Sequence, residues 1–280
     1  MFFMKDKLRS RIDELKNYRF KEIETLSEWA ILEDTSKSEK FPPENWEDAD
    51  TIKLNDYWSG LDRYFWVQKE IEIPNESNVY LVLDFGNSDS IGYDYGFEAL
   101  MFINGKPYSG VDQYHQEVRI SEEYIGKKIT VTLRLWTGMA GGEGITLFHQ
   151  FKNGQMTLLD KKTDELYYLS DQVHKTTEEL DESNPLKYQL TQILNNTFKL
   201  LDWSDREAPQ FLESIHAAHE YLNSEIGKIP KNSAYEVTTV GHTHIDVAWL
   251  WQLKHTREKA ARSFSTVLRL MEDYPDYTFS

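Results

Sequence analysis

Three side chains within five residues could hold a metal ion: His242, His244 and Asp246 in the run His242-Thr243-His244-Ile245-Asp246. In extended chain, residues two apart point the same way, so this alternation aims imidazole and carboxylate at one region of space. Mixed histidine and aspartate ligation suits zinc or a similar divalent cation. The box follows Tyr235-Glu236-Val237-Thr238-Thr239-Val240, whose composition predicts a strand. Ligands of α/β folds gather at the carboxyl ends of strands. Spacing alone leaves a second reading open, in which these are turn residues satisfied by backbone hydrogen bonds.

Other clusters are weaker. His216 and His219 stand three apart on a predicted helix, a spacing that can bind metal, but without a third ligand nearby a solvated helix face is the simpler reading. Gly138-Met139-Ala140-Gly141-Gly142-Glu143-Gly144 has no lysine after it and no strand–loop–helix frame, so it reads as a hairpin connection and not as a phosphate loop. Asp84, Asp89, Asp94 and Glu98 are scattered carboxylates of β-domain loops, better read as solvated than as calcium ligands. Trp58, Tyr64, Phe65 and Trp66 could form a sugar platform; core packing is the preferred reading.

The elements that must position these residues change character along the chain. From Asp6 to Leu32, Leu8, Ile12, Leu15, Ile23 and Leu26 recur at roughly helical spacing, and Phe41-Pro42-Pro43 then breaks the pattern. From Tyr57 to Leu169 short runs such as Tyr64-Phe65-Trp66-Val67, Val79-Tyr80-Leu81-Val82-Leu83 and Ile129-Thr130-Val131-Thr132-Leu133 alternate with turns, and Asn104-Gly105 marks a hairpin. Many short strands predict a sandwich or jelly roll. After Thr177 the period becomes helical. Pro185 sits behind the cap candidates Ser183 and Asn184, and a second helix follows Ser204-Asp205 to end near Gly227 and Pro230, making an αα-hairpin. A last helix is predicted from Thr256 to Tyr274 with Ala260, Phe264, Val267, Leu268 and Met271 as its core face, and Tyr277-Thr278-Phe279 could start another strand.

Composition bounds the function. With 31 basic and 47 acidic residues among 280, the formal charge of -16 argues against nucleic acid and anionic membrane as partners. It agrees with a soluble protein acting on a neutral ligand such as sugar. There is no cysteine, which excludes disulfides, thiolate nucleophiles and cysteine-based zinc sites. The opening Met1-Phe2-Phe3-Met4-Lys5-Asp6 is too short to be a signal-peptide core, no apolar run approaches a membrane span, and the expected compartment is the cytoplasm. One strand and one helix cannot complete a parallel sheet, so the chain reads as a fragment ending inside a domain.

Around the box, Val240-Gly241-His242-Thr243-His244-Ile245-Asp246-Val247-Ala248-Trp249-Leu250-Trp251 is followed by Arg257-Glu258-Lys259-Ala260-Ala261-Arg262-Ser263-Phe264 and by Tyr274-Pro275-Asp276-Tyr277-Thr278-Phe279. This run resembles the opening of the catalytic domain of glycoside hydrolase family 38, the metal-dependent retaining α-mannosidases. Val247-Ala248 stands where Golgi and lysosomal members usually carry Pro-Gly, so the resemblance is to the bacterial and cytosolic branch. It implies that His244 and Asp246 are the first two zinc ligands, that Trp249 packs against the mannose ring, and that His242 sits behind the ligands without touching the metal. A divalent cation so placed can chelate adjacent cis hydroxyls and favour ring distortion. The implied substrates are mannose-containing oligosaccharides. The nucleophile, the acid/base carboxylate and a later histidine ligand are expected beyond Ser280, so no catalytic residue is assigned and the fragment alone is expected to be inactive.

The expected organisation is an α+β fragment: a helical lead-in and linker (1–50), an antiparallel β-sandwich of jelly-roll, galactose-binding-like type (51–170), a helical connector (171–232), and the first βα unit of an α/β catalytic domain (233–280). Two other functions stay open: a sugar-binding sandwich, and an amidohydrolase-type metal hydrolase in which His242 and His244 would be the ligand pair. Whether the protein forms a homo-oligomer also stays open.

Overall fold

This computed structural model describes residues 3–37, 40–88, 95–139, 145–230, 236–249 and 251–280. Asp89, Asp94, residues 140–144 of the glycine-rich loop, Tyr235 and Leu250 lie outside them. The chain divides into two compact units, one of Met1–Lys21 with Leu158–Glu236 and one of Glu22–Thr157 with Val237–Ser280.

The first unit is helical: α1 (Met4–Leu15), α2 (Lys161–Glu179), α3 (Pro185–Lys199) and α4 (Pro209–Gly227). Leu8, Ile12 and Leu15 of α1 pack with Leu190 and Leu194 of α3 and with Phe211, Ile215 and Leu222 of α4. The Asn184 side chain accepts from the Leu186 amide at 3.0 Å with Pro185 in the first turn, and Asp160 caps α2 by accepting from the Thr163 amide at 2.8 Å.

The second unit holds the sheets. Its strands are β1 (Phe20–Thr25), β2 (Glu28–Glu33), β3 (Asp50–Lys53), β4 (Tyr57–Gly60), β5 (Tyr64–Glu72), β6 (Val79–Asp84) and β7 (Asn87–Ser88). They continue as β8 (Tyr95–Gly96), β9 (Glu98–Ile103), β10 (Lys106–Asp112), β11 (Glu117–Arg119), β12 (Lys128–Trp136), β13 (Leu147–Gln150) and β14 (Asn153–Leu159). A six-stranded sheet runs β10-β9-β12-β5-β2-β3, a four-stranded sheet runs β1-β14-β6-β11, and β13-β4 and β7-β8 form two small pairs. The Asn104-Gly105 turn joins β9 to β10 with Ile103 opposite Lys106, a two-residue hairpin. Val79, Leu81 and Leu83 of β6 and Val131, Leu133 and Leu135 of β12 turn their buried faces to a shared core, where Trp29 meets Phe85 edge-on.

The architecture is α+β with several antiparallel sheets and, among the described residues, five α-helices. Several expectations need correction. The helical pattern drawn to Leu32 ends at Leu15: Ile23 and Leu26 belong to the start of the sheets, because their spacing fits a strand–turn–strand as well as a helix. The β character drawn to Leu169 ends at Leu159, and α2 takes over at Lys161. Its buried stripe includes Thr163, Ser170, Asp171 and His174, polar residues that hide it from a hydrophobic-periodicity reading. Residues 236–240 carry no strand. One parallel bridge joins Gly241 to Phe279, with the Gly241 amide donating to the Thr278 carbonyl at 2.7 Å. A single bridge gives the other backbone groups no ladder to join.

The last helix, α5 (Leu253–Asp273), lies in the second unit on the outer face of the six-stranded sheet. Glu98, Tyr64, Trp66, Arg134 and Trp136 project there, since opposite residues of an antiparallel pair share a face. The predicted apolar core face is wrong for this helix: Phe264 is 51% exposed and Leu268 57% exposed. The buried stripe is polar. His255, Glu258, Lys259, Arg262 and Thr266 recur at helical spacing and meet charged or hydroxyl partners on the sheet. No helix among the described residues is long and apolar enough to cross a membrane.

Candidate functional site

The box sits on the chain between the Gly241 bridge and α5. Gly241 has no room for a side chain, because a Cβ there would lie 2.1 Å from the Tyr277 hydroxyl. That close approach fixes where the turn leaves the bridge. From there His244 and Asp246 converge, with Nε2 of the histidine 3.1 Å from Oδ1 of the aspartate, and both side chains reach solvent. His242 points elsewhere, its Nδ1 3.1 Å from the Ser280 carbonyl. Of the three predicted ligand candidates the structure therefore pairs two.

Two donors of one tetrahedral zinc, each roughly 2.0–2.2 Å from the ion, stand about 3.3–3.6 Å apart. The 3.1 Å separation of His244 and Asp246 is that of a hydrogen bond, a few tenths of an ångström short of two corners of such a set. Among the described residues no group of three or more histidine, cysteine, aspartate or glutamate side chains completes it. Imidazole and carboxylate are donor types that a divalent cation takes.

What holds the turn is a residue that spacing arguments missed. The Thr256 hydroxyl donates to the Asp246 carbonyl at 3.2 Å and accepts from the Ala248 amide and from Trp251 Nε1, each at 3.1 Å. Ala248 takes a left-handed backbone conformation at φ 60°, which is what lets the chain reverse between the box and the helix. The only sequence signal for Thr256 was its place at the predicted helix start. Trp249 is 68% exposed and stands edge-on to Trp251 at 5.8 Å. Trp251 is half-buried, with the Lys259 ammonium 4.7 Å above its ring.

The helix is in turn anchored to the sheet by charge. Asp62 accepts from Lys254 Nζ and His255 Nε2, each at 2.8 Å, and from Trp136 Nε1 at 3.1 Å. Burial works against the Asp62 carboxylate, but these three donors prevail and hold it down at about 2. His255 is fully buried, stacks on Trp136 at 4.5 Å, and accepts from the Gln252 amide through Nδ1 at 2.9 Å. With Nδ1 accepting, Nε2 carries the proton that goes to Asp62. Arg134 bridges Asp34 at 2.7 Å and Glu258 at 2.9 Å, and its guanidinium lies 4.1 Å over the Tyr64 ring. Burial and the Glu258 carboxylate push the Tyr64 phenol up. Glu98 is opposed by burial yet kept below the usual carboxylate range by Arg262 and Lys259.

A cleft of about 660 Å³ opens beside the box, lined by His242, His244, Trp251, Lys259, Glu98 and Tyr114 among others. Gly138 and Met139, at the start of the glycine-rich loop, also reach it. Among the described residues, the other sequence candidates form no site of their own. Trp58, Tyr64 and Trp66 are buried, with Trp58 stacked on His149 at 4.5 Å, so that cluster is core. His216 pairs with Asp160 at 3.0 Å and His219 with Glu165 at 2.7 Å, so both face a neighbouring helix end where a solvated face was expected. Asp84 accepts from the Gly86 amide at 2.7 Å.

Residues 234–280 match the glycosyl hydrolases family 38 N-terminal domain. The chain is 28% identical over 131 residues to alpha-mannosidase G of Dictyostelium discoideum, covering 47% of this chain and 12% of that protein. It is 34% identical over 99 residues to an alpha-mannosidase of Saccharomyces cerevisiae, covering 33% of this chain and 9% of that protein. With alpha-mannosidase 2C1 of Homo sapiens the identity is 23% over 229 residues, 77% of this chain and 21% of that protein. The chain thus spans between 9% and 21% of the length of these relatives. Among solved structures, the CBM51-2 and INT domains of Clostridium perfringens ZmpB align with 78% of this chain and 47% of that chain at 13% identity, with a TM-score of 0.25, too slight a likeness to carry an argument.

Proposed function

As a member of glycosyl hydrolase family 38, matched over residues 234–280, this chain is, we propose, the leading segment of a metal-dependent α-mannosidase that removes terminal α-linked mannose from oligosaccharides. The observation that carries the reading is the convergence of His244 and Asp246 at 3.1 Å beside an open cleft. A zinc ion, or a similar divalent cation, would be held by these two residues with further ligands outside this chain, and would supply Lewis-acid binding of two adjacent mannose hydroxyls. His242 Nδ1 lies 3.1 Å from the Ser280 carbonyl and is not drawn into the His244–Asp246 pair. That placement favours the His244–Asp246 pair over the His242–His244 pair of an amidohydrolase. The exposed indole of Trp249 offers a flat apolar face for the C–H side of the sugar ring.

The chemistry is retaining, with the nucleophile and the acid/base carboxylate supplied by residues outside the chain, so the chain alone turns nothing over. The sandwich is of the jelly-roll, galactose-binding-like type, and the protein is of the bacterial and cytosolic branch, working in the cytoplasm. Its buried aromatic cluster speaks against independent sugar binding through Trp58 and Trp66.

The test uses the full-length protein that carries this chain. His244→Ala and Asp246→Ala should each lose bound zinc, read by plasma mass spectrometry, together with hydrolysis of 4-nitrophenyl α-mannoside. His242→Ala should keep its zinc. Equal zinc in all three variants, or no hydrolysis by the wild type, would sink the reading.

A further inference from the structure

The cleft beside the box has a second wall, built by the β-sheet unit, and we propose that this wall binds the sugar units following the terminal mannose, with Tyr114 as their platform. The proposal rests on the α-mannosidase reading and extends it to the leaving-group side. The cleft is lined by His242, His244 and Ile245 of the box and also by the residues from Asp112 to His115, at the end of β10 and the turn after it. Pockets for drug-sized ligands run to about 300–1,000 Å³. The cleft, at about 660 Å³, lies within that range.

The wall is built, not merely exposed. Asp112 Oδ1 accepts from the amides of Tyr114 at 2.8 Å and His115 at 2.9 Å, and His115 Nδ1 lies 2.9 and 3.0 Å from its two carboxylate oxygens. This rigid turn presents the Tyr114 ring, which is 81% exposed yet lines the cleft. An aromatic face held open to a polar cleft suits the C–H face of a pyranose, whose rim hydroxyls can then meet polar neighbours. The charged side chains of the lining are engaged with one another. Glu98 is paired with Lys259 at 2.6 Å and with Arg262, and Asp112 with His115. Phosphate or carboxylate recognition calls for a cation without such a partner. Hydroxyl groups do not.

The test uses full-length protein: wild type, Tyr114→Ala, and Tyr57→Ala as a control on another exposed tyrosine that does not line the cleft. Two substrates are compared, α-mannotriose and α-mannosyl fluoride, whose leaving group is one atom. Tyr114→Ala should raise KM for mannotriose roughly ten-fold and leave α-mannosyl fluoride unchanged, the scale of one lost aromatic contact. Isothermal titration with mannotriose, which needs no turnover, should show the same roughly ten-fold loss of affinity. Tyr57→Ala should match the wild type in both. Equal effects on the two substrates, or wild-type affinity for mannotriose in Tyr114→Ala, overturn the proposal, as does a wild type that neither binds nor cleaves mannotriose. A wild type that binds mannotriose through Tyr114 but hydrolyses neither substrate supports the wall and defeats the mannosidase reading.

Discussion

The Thr256 hydroxyl donates to the carbonyl of Asp246 at 3.2 Å, tying the first turn of α5 to a residue of the metal box. The same oxygen accepts from the Ala248 amide and the Trp251 indole. Thr256→Val keeps the shape and removes all three bonds. It should cost about 1–3 kcal/mol of stability, measured by urea denaturation. It should also weaken zinc retention in the full-length protein more than it lowers the unfolding midpoint of the sheet unit.

Asp62 gives a pH signature. Its folded-state value of about 2 lies below the ordinary 3.8, so its contribution is present above pH 3.8 and is lost as pH falls from there through 2. Asp62→Asn removes the charge that Lys254 and His255 address. The variant should be less stable by about 1–3 kcal/mol near neutrality, and the gap to wild type should narrow as pH falls below 3.8 and close only below about 2. Urea midpoints taken at pH 7 and at pH 2.5 decide it; a gap equal at both would show that the charge does not anchor the helix.

Arg134 is nearly buried between two carboxylates. Removing it by Arg134→Met leaves Asp34 buried without its cation, at a cost of about 3–5 kcal/mol. The double variant Arg134→Met with Asp34→Asn should recover part of that loss. Thermal unfolding of the single and double variants measures both.

Ala248 sits at φ 60°, a conformation that costs a residue with a Cβ about 1 kcal/mol. Ala248→Gly should raise stability by up to about 1 kcal/mol while leaving zinc binding unchanged. A lowered melting temperature would show that the alanine methyl is packed and not strained.

Much of this fold was readable from residue order. The alternating apolar runs become strands, Asn104-Gly105 makes its hairpin, and Asn184 with Pro185 starts α3, because each is a local signal. The failures share a cause: partners far away in sequence. The α5 stripe of His255, Glu258, Lys259 and Arg262 reads as a solvated face until Asp62, Arg134 and Glu98 are brought to it. The expected core face of Phe264 and Leu268 is then left outward. At the site, the His244–Asp246 convergence follows from two-residue spacing, whereas nothing local announces that the Thr256 hydroxyl holds the turn or that Tyr114 lines the same cleft.

The long reach of those anchors sets an order of assembly. Glu258 answers to Tyr64, 194 residues earlier, and Arg262 to Glu98, 164 residues earlier. Contacts that distant form only after the intervening chain has collapsed. As the polypeptide leaves the ribosome, the sheet can close before α5 emerges. The helix then lands on a prepared bed of charges, and the histidine and aspartate just upstream are carried to their place with it.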